Sequence, residues 1–217
     1  MFKNLLANFR KPQGKIGSIL CGMMNVGHGK LIHSVISQLE VRPSQTVLDI
    51  GCGGGLALSL LADRGATAYG IDYSETSVHK SKAKNEAAVK AGRVHVQSMD
   101  VGELSFADDM FDLATAFETI YFWPEMEKSL KEILRCLKPG GRLAIAVEAW
   151  KEGDRLVRCP GFLRSLEMTI CSVEELTALL KGCGFENVNC GINPARTWML
   201  ALADKPQPDP ASEKFLN

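Results

Sequence analysis

Val47-Leu48-Asp49-Ile50-Gly51-Cys52-Gly53-Gly54-Gly55 sets an apolar run against a cluster of glycines. A short apolar run bounded by glycine reads as a buried strand. Glycines carry no Cβ and accept either sign of φ, so the chain can turn sharply there and press against a ligand. Leu56-Ala57-Leu58-Ser59-Leu60-Leu61-Ala62 follows as a helix. Its first turn offers free N–H donors and the positive end of a dipole.

Three ligand types suit a loop of this kind. A P-loop requires Lys-Ser or Lys-Thr after its last glycine, and neither is present. A dinucleotide fingerprint requires Gly-x-Gly-x-x-Gly/Ala, and Leu56 stands at the third position. Asp49, two residues before the first glycine, would repel a pyrophosphate but suits a ligand that carries an ammonium group. Asp-x-Gly-x-Gly-x-Gly after an apolar strand resembles motif I of the class I S-adenosylmethionine-dependent methyltransferases. The ligand of that family is an amino acid with a sulfonium, an adenine and one ribose.

Outward from the loop, Ala66-Thr67-Ala68-Tyr69-Gly70-Ile71-Asp72 reads as a second strand ending in an acid, 21 positions beyond Gly51. A βαβ unit brings an acid at that separation beside the glycine loop, where it accepts from both ribose hydroxyls. Tyr73 follows, placed to lie along the adenine. Residues 75–91 are rich in Lys and Ala and stop at Gly92, which predicts one surface helix. A third strand is expected over 93–97, before Met99-Asp100-Val101. Phe111–Phe117 is the fourth strand, running into Glu118-Thr119-Ile120-Tyr121-Phe122-Trp123-Pro124. The carboxyl ends of strands carry the reaction centre in open α/β sheets, so this segment is expected to line it, with Tyr121, Phe122 and Trp123 as an aromatic pocket wall. This segment has neither the Asn/Asp-Pro-Pro-Tyr/Phe sequence of base-amine methylation nor a cysteine to attack a pyrimidine.

Met126, Leu130, Ile133, Leu134 and Leu137 trace one helical face. Leu137-Lys138-Pro139-Gly140-Gly141 then stops the helix ahead of an apolar strand over 142–148, a second resemblance to the same family. Residues 150–171 show no clear periodicity and are expected to form loops or a short helix over the active face. Ser172-Val173-Glu174-Glu175 is a capping box opening a helix that ends at Gly184. Two last strands are expected near 185–191 and 197–203. Together these predict an α/β, doubly wound Rossmann-like class I methyltransferase sheet with an N-terminal helical cap. The expected divisions are a cap or lid over 1–40, a cofactor-binding domain over 41–204 and a flexible tail over 205–217.

The chain has 217 residues, is 46% hydrophobic and balances 25 Lys+Arg against 25 Asp+Glu, so no global charge footprint points to nucleic acid. The balance is local, however. No acid precedes Glu40, whereas Lys3, Arg10, Lys11, Lys15 and Lys30 all do. Phe2, Leu5, Leu6 and Phe9 keep the spacing of one helical face. A cap folding over the site is favoured, with binding to a membrane surface as the second reading. Stable membrane insertion is not expected, because no run reaches the roughly 18 apolar residues of a span. Asn25-Val26-Gly27-His28-Gly29 reads as a polar, flexible turn, and Gly27 and Gly29, around His28, are expected to serve as lid hinges. The seven cysteines form no Cys-x-x-Cys pair, which argues against a disulfide framework and against structural zinc, and no metal is expected. Reduced thiols point to the cytoplasm.

The resemblance covers about residues 41–203 and implies S-adenosyl-L-methionine as cofactor and a small molecule as methyl acceptor, the methyl moving by direct in-line displacement. It implies cofactor contacts at Asp49, Gly51, Cys52, Gly53, Asp72, Tyr73, Met99, Asp100, Val101 and Phe117, with Asp100 accepting from the adenine amino group. No catalytic residue is assigned. His28, Glu118, Tyr121 and Glu148 are the candidates if the acceptor needs a base. An S-adenosylmethionine-binding protein without transfer activity and a Rossmann oxidoreductase are the alternatives, the latter disfavoured by Asp49 and the missing third glycine.

Overall fold

The computed structural model describes residues 11–157, 168–195 and 197–208. The apolar stripe expected over Phe2–Phe9 lies outside the described residues. The chain enters through helices α1 (Gly14–Gly27) and α2 (Gly29–Gln38). It then alternates β1 (Thr46–Ile50), α3 (Leu56–Asp63), β2 (Thr67–Asp72), α4 (Glu75–Lys84), α5 (Glu86–Lys90) and β3 (Val94–Ser98). Next come β4 (Phe111–Phe117), a 3₁₀ turn (Ile120–Phe122), α6 (Met126–Cys136) and β5 (Leu137–Val147). A hairpin of β6 (Trp150–Glu152) and β7 (Arg155–Val157) precedes α7 (Val173–Gly182), β8 (Glu186–Ile192) and β9 (Met199–Asp204).

Seven strands form one sheet in the order β3-β2-β1-β4-β5-β9-β8. The first five run parallel, whereas β9 lies antiparallel between β5 and β8. Between β1 and β4 the strand order changes direction, and their carboxyl ends open a crevice there. Alternate residues of β1 face opposite sides. Leu48 and Ile50 join a cluster with Leu130, Ile133, Leu176 and Leu180, and Val47 joins a second with Leu31, Val35, Ile36, Leu58 and Leu61. Helices therefore cover both faces. Each such fully buried aliphatic side chain contributes about 1.5–3 kcal/mol, which fixes α2 firmly to the sheet.

Four expectations need correction. Asn25-Val26-Gly27 is not a turn but the last part of α1, and a single residue, His28, separates α1 from α2. Neither Gly27 nor Gly29 has a positive φ, so neither occupies a backbone conformation closed to other residues. The helix over 75–91 divides at Asn85, whose side chain donates to the carbonyls of Gly55 and Ser81 and ties the break to the glycine loop. Residues 150–157 form a hairpin, with Trp150 fully buried as its anchor. Pro139-Gly140-Gly141 sits inside β5 as a bulge, since pairing with β4 jumps from Phe111–Leu137 to Leu113–Arg142.

Candidate active site

The crevice is walled by the loop after β1, the exits of β2, β3 and β4, and the α1–α2 junction. All ten residues expected to contact a cofactor line it: Asp49, Gly51, Cys52, Gly53, Asp72, Tyr73, Met99, Asp100, Val101 and Phe117. Pro12, Met24, His28, Glu118, Thr119, Phe122 and Trp123 are among the other residues of the wall. Tyr121 is not; it is the middle residue of the 3₁₀ turn and its side chain is buried.

Backbone shape sets the loop. Gly51, Gly53 and Gly55 all have positive φ, +67°, +49° and +79°. A Cβ on Gly51 would stand 2.2 Å from Thr119 Oγ1, so the β1 and β4 exits touch only because residue 51 has no side chain. The loop amides are already engaged. Cys52 N–H donates to the Ile71 carbonyl (2.9 Å), Gly53 N–H to Asp72 Oδ2 (3.0 Å) and Gly55 N–H to the Cys52 carbonyl (2.8 Å). Asp72 Oδ1 also accepts from Ser74 N–H at 2.9 Å, so this carboxylate locks the β2 exit to the loop. Asp100 Oδ1 accepts from Gly102 N–H (2.7 Å), fixing the turn after β3.

At another part of the crevice three groups meet from three elements. His28 Nδ1 lies 2.8 Å from Glu148 Oε2 and 3.9 Å from Glu118 Oε2. Glu148 N–H donates to Glu118 Oε1. Tyr121 O–H approaches both Glu118 oxygens at 3.4 Å while accepting from Ala149 N–H at 2.9 Å. Glu118 has φ +58°, a left-handed conformation uncommon for a residue with a side chain. Such outliers concentrate where a side chain must be aimed.

A family model described as "Methyltransferase domain" matches residues 48–145. An O-methyltransferase, resE, of Aspergillus sclerotiorum is 32% identical over 173 residues, 75% of this chain and 62% of the relative. A ubiquinone biosynthesis O-methyltransferase of Coxiella burnetii is 31% identical over 142 residues, 65% of this chain and 57% of the relative. A solved structure, the complex between the Haloferax volcanii Trm112 methyltransferase activator and a putative methyltransferase, contains a chain superposing with a TM-score of 0.76. That likeness has 23% identity and covers 86% of this chain and 94% of that one. Residues 48–145 form a class I S-adenosylmethionine-dependent methyltransferase domain. The chain spans less than two thirds of the length of these two curated relatives.

The electrostatics of this methyltransferase domain fit the family's cofactor better than a phosphate. A phosphate cradle needs a row of free amides, and here three loop amides are spent internally. Asp49 is buried, accepts from Thr115 Oγ1 at 2.8 Å, and is pushed up to about 7 by burial, with Asp72 adding to the rise. A ligand ammonium would relieve that cost; a pyrophosphate would increase it. Burial also raises Asp72, although the Ser74 and Gly53 amides oppose the shift. Glu118 is pushed up to about 7 by burial, and His28 opposes that rise. Burial alone would lower His28, yet the hydrogen bond to Glu148 and the charges of Glu118 and Glu148 outweigh it and raise the imidazole.

His28, Glu118 and Glu148 bring donor atoms within 4.8 Å of one another. The His28–Glu148 hydrogen bond already satisfies that pair. Sequence reasoning named all three as separate base candidates but missed their convergence. It also missed Pro12 and Met24, which carry no motif.

Proposed function

We propose that this protein is an S-adenosylmethionine-dependent methyltransferase acting on a hydroxyl of a small molecule. The observation that carries the reading is one crevice with two chemically distinct parts. Asp49 and Asp72 flank the glycine loop in one part of it, and His28, held from behind by Glu148, lines another together with Glu118. Asp72 would accept from the ribose hydroxyls, Asp49 would meet the ammonium, and Tyr73, Met99, Asp100 and Val101 would enclose the adenine. Gly51, Cys52, Gly53 and Phe117 would form the remaining wall. When bound, this cofactor supplies an electrophilic methyl on a sulfonium.

No covalent nucleophile is then needed from the chain, whose work is alignment and proton removal. Glu148 holds His28 Nδ1, which leaves Nε2 as the nitrogen to take the acceptor proton. The resulting imidazolium is stabilised by Glu148 and by Glu118 beside it. Phe122 and Trp123 give the acceptor an apolar wall. A hydroxyl profits from such a base more than a neutral amine does, and both curated relatives described above are O-methyltransferases by name.

Calorimetry with S-adenosylhomocysteine and with NAD tests the cofactor; binding of NAD alone refutes the reading. A mass-spectrometric screen for a methyl gain of phenolic and aliphatic hydroxyl compounds tests the reaction. Cofactor binding with methyl gain confined to amines or thiols would refute the hydroxyl assignment.

A further inference from the structure

Helix α1 has two unlike sides. Gly17 and Leu20 are buried and Met24 lines the crevice. On the other side Ile16, Ile19, Met23 and Val26 are 58%, 63%, 63% and 83% exposed. Their spacing of three, four and three residues places them within an arc of about 80° at 100° per residue. Isolated exposed aliphatics are ordinary on a protein surface, but a row of four on one helix marks an interaction surface. Helix α1 is tied down on its flank: Ser74 Oγ donates to the Pro12 carbonyl, Gly14 N–H to Thr76 Oγ1 and Lys80 Nζ to the Ser18 carbonyl. The apolar row is thus held outward rather than left behind by a helix that has not docked.

Charge decides the occupant. The first 39 residues contain five Lys/Arg and no Asp or Glu, in a chain whose total is neutral. A symmetric dimer through this row would bring each basic segment against its own copy, with no acid from the segment to offset it. An anionic lipid surface offers hydrocarbon for the row and negative charge for the lysines. Among the described residues no helix is long and apolar enough to cross a membrane, so the contact is peripheral. We propose that α1 docks this protein onto the surface of an anionic lipid bilayer through Ile16, Ile19, Met23 and Val26.

The test is cosedimentation of the full chain with vesicles of phosphatidylcholine alone, or of phosphatidylcholine with about 30% phosphatidylglycerol. Binding is expected on the mixed vesicles, weak on the neutral ones, and reduced at about 0.5 M salt. The double variant Ile19→Ser, Met23→Ser should lower partition by about tenfold or more. Its thermal midpoint and its calorimetric affinity for S-adenosylhomocysteine should match the parent, because neither residue faces the crevice. Absence of binding to the mixed vesicles, or undiminished binding of the double variant, overturns the proposal. So does a self-association in sedimentation that the two substitutions abolish, since a second copy would then cover the row. The assay needs no methyl acceptor, so failure here leaves the methyl-transfer reading standing.

Discussion

Substitution of Asp49 by Asn exposes the cost of keeping a charge in the crevice. Asp49 is raised from 3.8 to about 7, chiefly by burial. A rise of about 3 units corresponds to about 4 kcal/mol against the ionised form at neutral pH. The sign follows from linkage. Between pH 4 and pH 7 the unfolded chain has lost this proton while the folded chain retains it, so stability falls as pH rises at about 1.4 kcal/mol per unit. Above the folded value both states are ionised and the loss levels off. Asn keeps the shape and still accepts from Thr115, but it does not titrate. The stability of Asp49→Asn relative to the parent should therefore rise by about 2–3 kcal/mol between pH 5 and pH 8, read by urea unfolding of the ligand-free proteins. The same proton must leave when a ligand ammonium binds. Calorimetry in buffers of different ionisation enthalpy should show release of about half a proton at pH 7 for the parent and a smaller release for the variant. Parallel stability curves together with equal proton release would refute the assignment of Asp49 as the ammonium partner.

Asp72→Ala should weaken S-adenosylhomocysteine binding by about 1.5–3 kcal/mol and also lower stability, because the amides of Gly53 and Ser74 lose their acceptor; unchanged calorimetric affinity in a folded variant would place the ribose elsewhere. Gly51→Ala forces a Cβ onto Thr119 at a φ of +67°, and should cost about 1–3 kcal/mol. Adding Thr119→Gly, which removes both the Oγ1 at 2.2 Å and the Cβ at 2.7 Å, should relieve the clash but not the φ strain, a partial rescue readable in thermal melts. His28→Ala should reduce turnover by about 10²–10⁴-fold with cofactor affinity retained. In the parent, turnover should fall as pH drops through a value above 6.5, because the raised imidazole must be unprotonated to act. Glu118 and Asp49, both near 7, titrate in the same window, so the profile reports the coupled set.

The glycine loop and its acid partner were legible because their geometry is local. Strand, turn and helix occupy adjacent residues, and Asp72 lies one βαβ unit away. The ends of β3 and β4 followed from the same alternation. Strand direction was not legible: the alternation over 199–204 buries one face of β9 equally well whether it runs parallel or antiparallel. The β6–β7 hairpin, with three residues in each strand, is too short for a period to emerge. The glycines and Asn25 suggested a turn where packing of α1 against α4 sustains a helix. His28 and Glu148 stand 120 positions apart, and only the completed sheet brings them together. Nor could spacing foretell that Tyr121 turns inward, beneath Glu118, while Phe122 and Trp123 face the crevice.

The single-residue junction at His28 separates access from chemistry. On its far side, α2 is sealed into the interior by Leu31, Val35 and Ile36, and Glu148 holds the imidazole from the residue just after β5. On its near side, α1 is clipped to α4 mainly through hydrogen bonds to its backbone and to the carbonyl of Pro12. The catalytic candidate thus belongs mechanically to the scaffold, whereas Met24 and Pro12 belong to a replaceable wall. A chimaera exchanging residues 14–26 for those of a relative should inherit a new entrance while retaining its proton acceptor, so acceptor range can diverge in one part of this crevice without rebuilding the other.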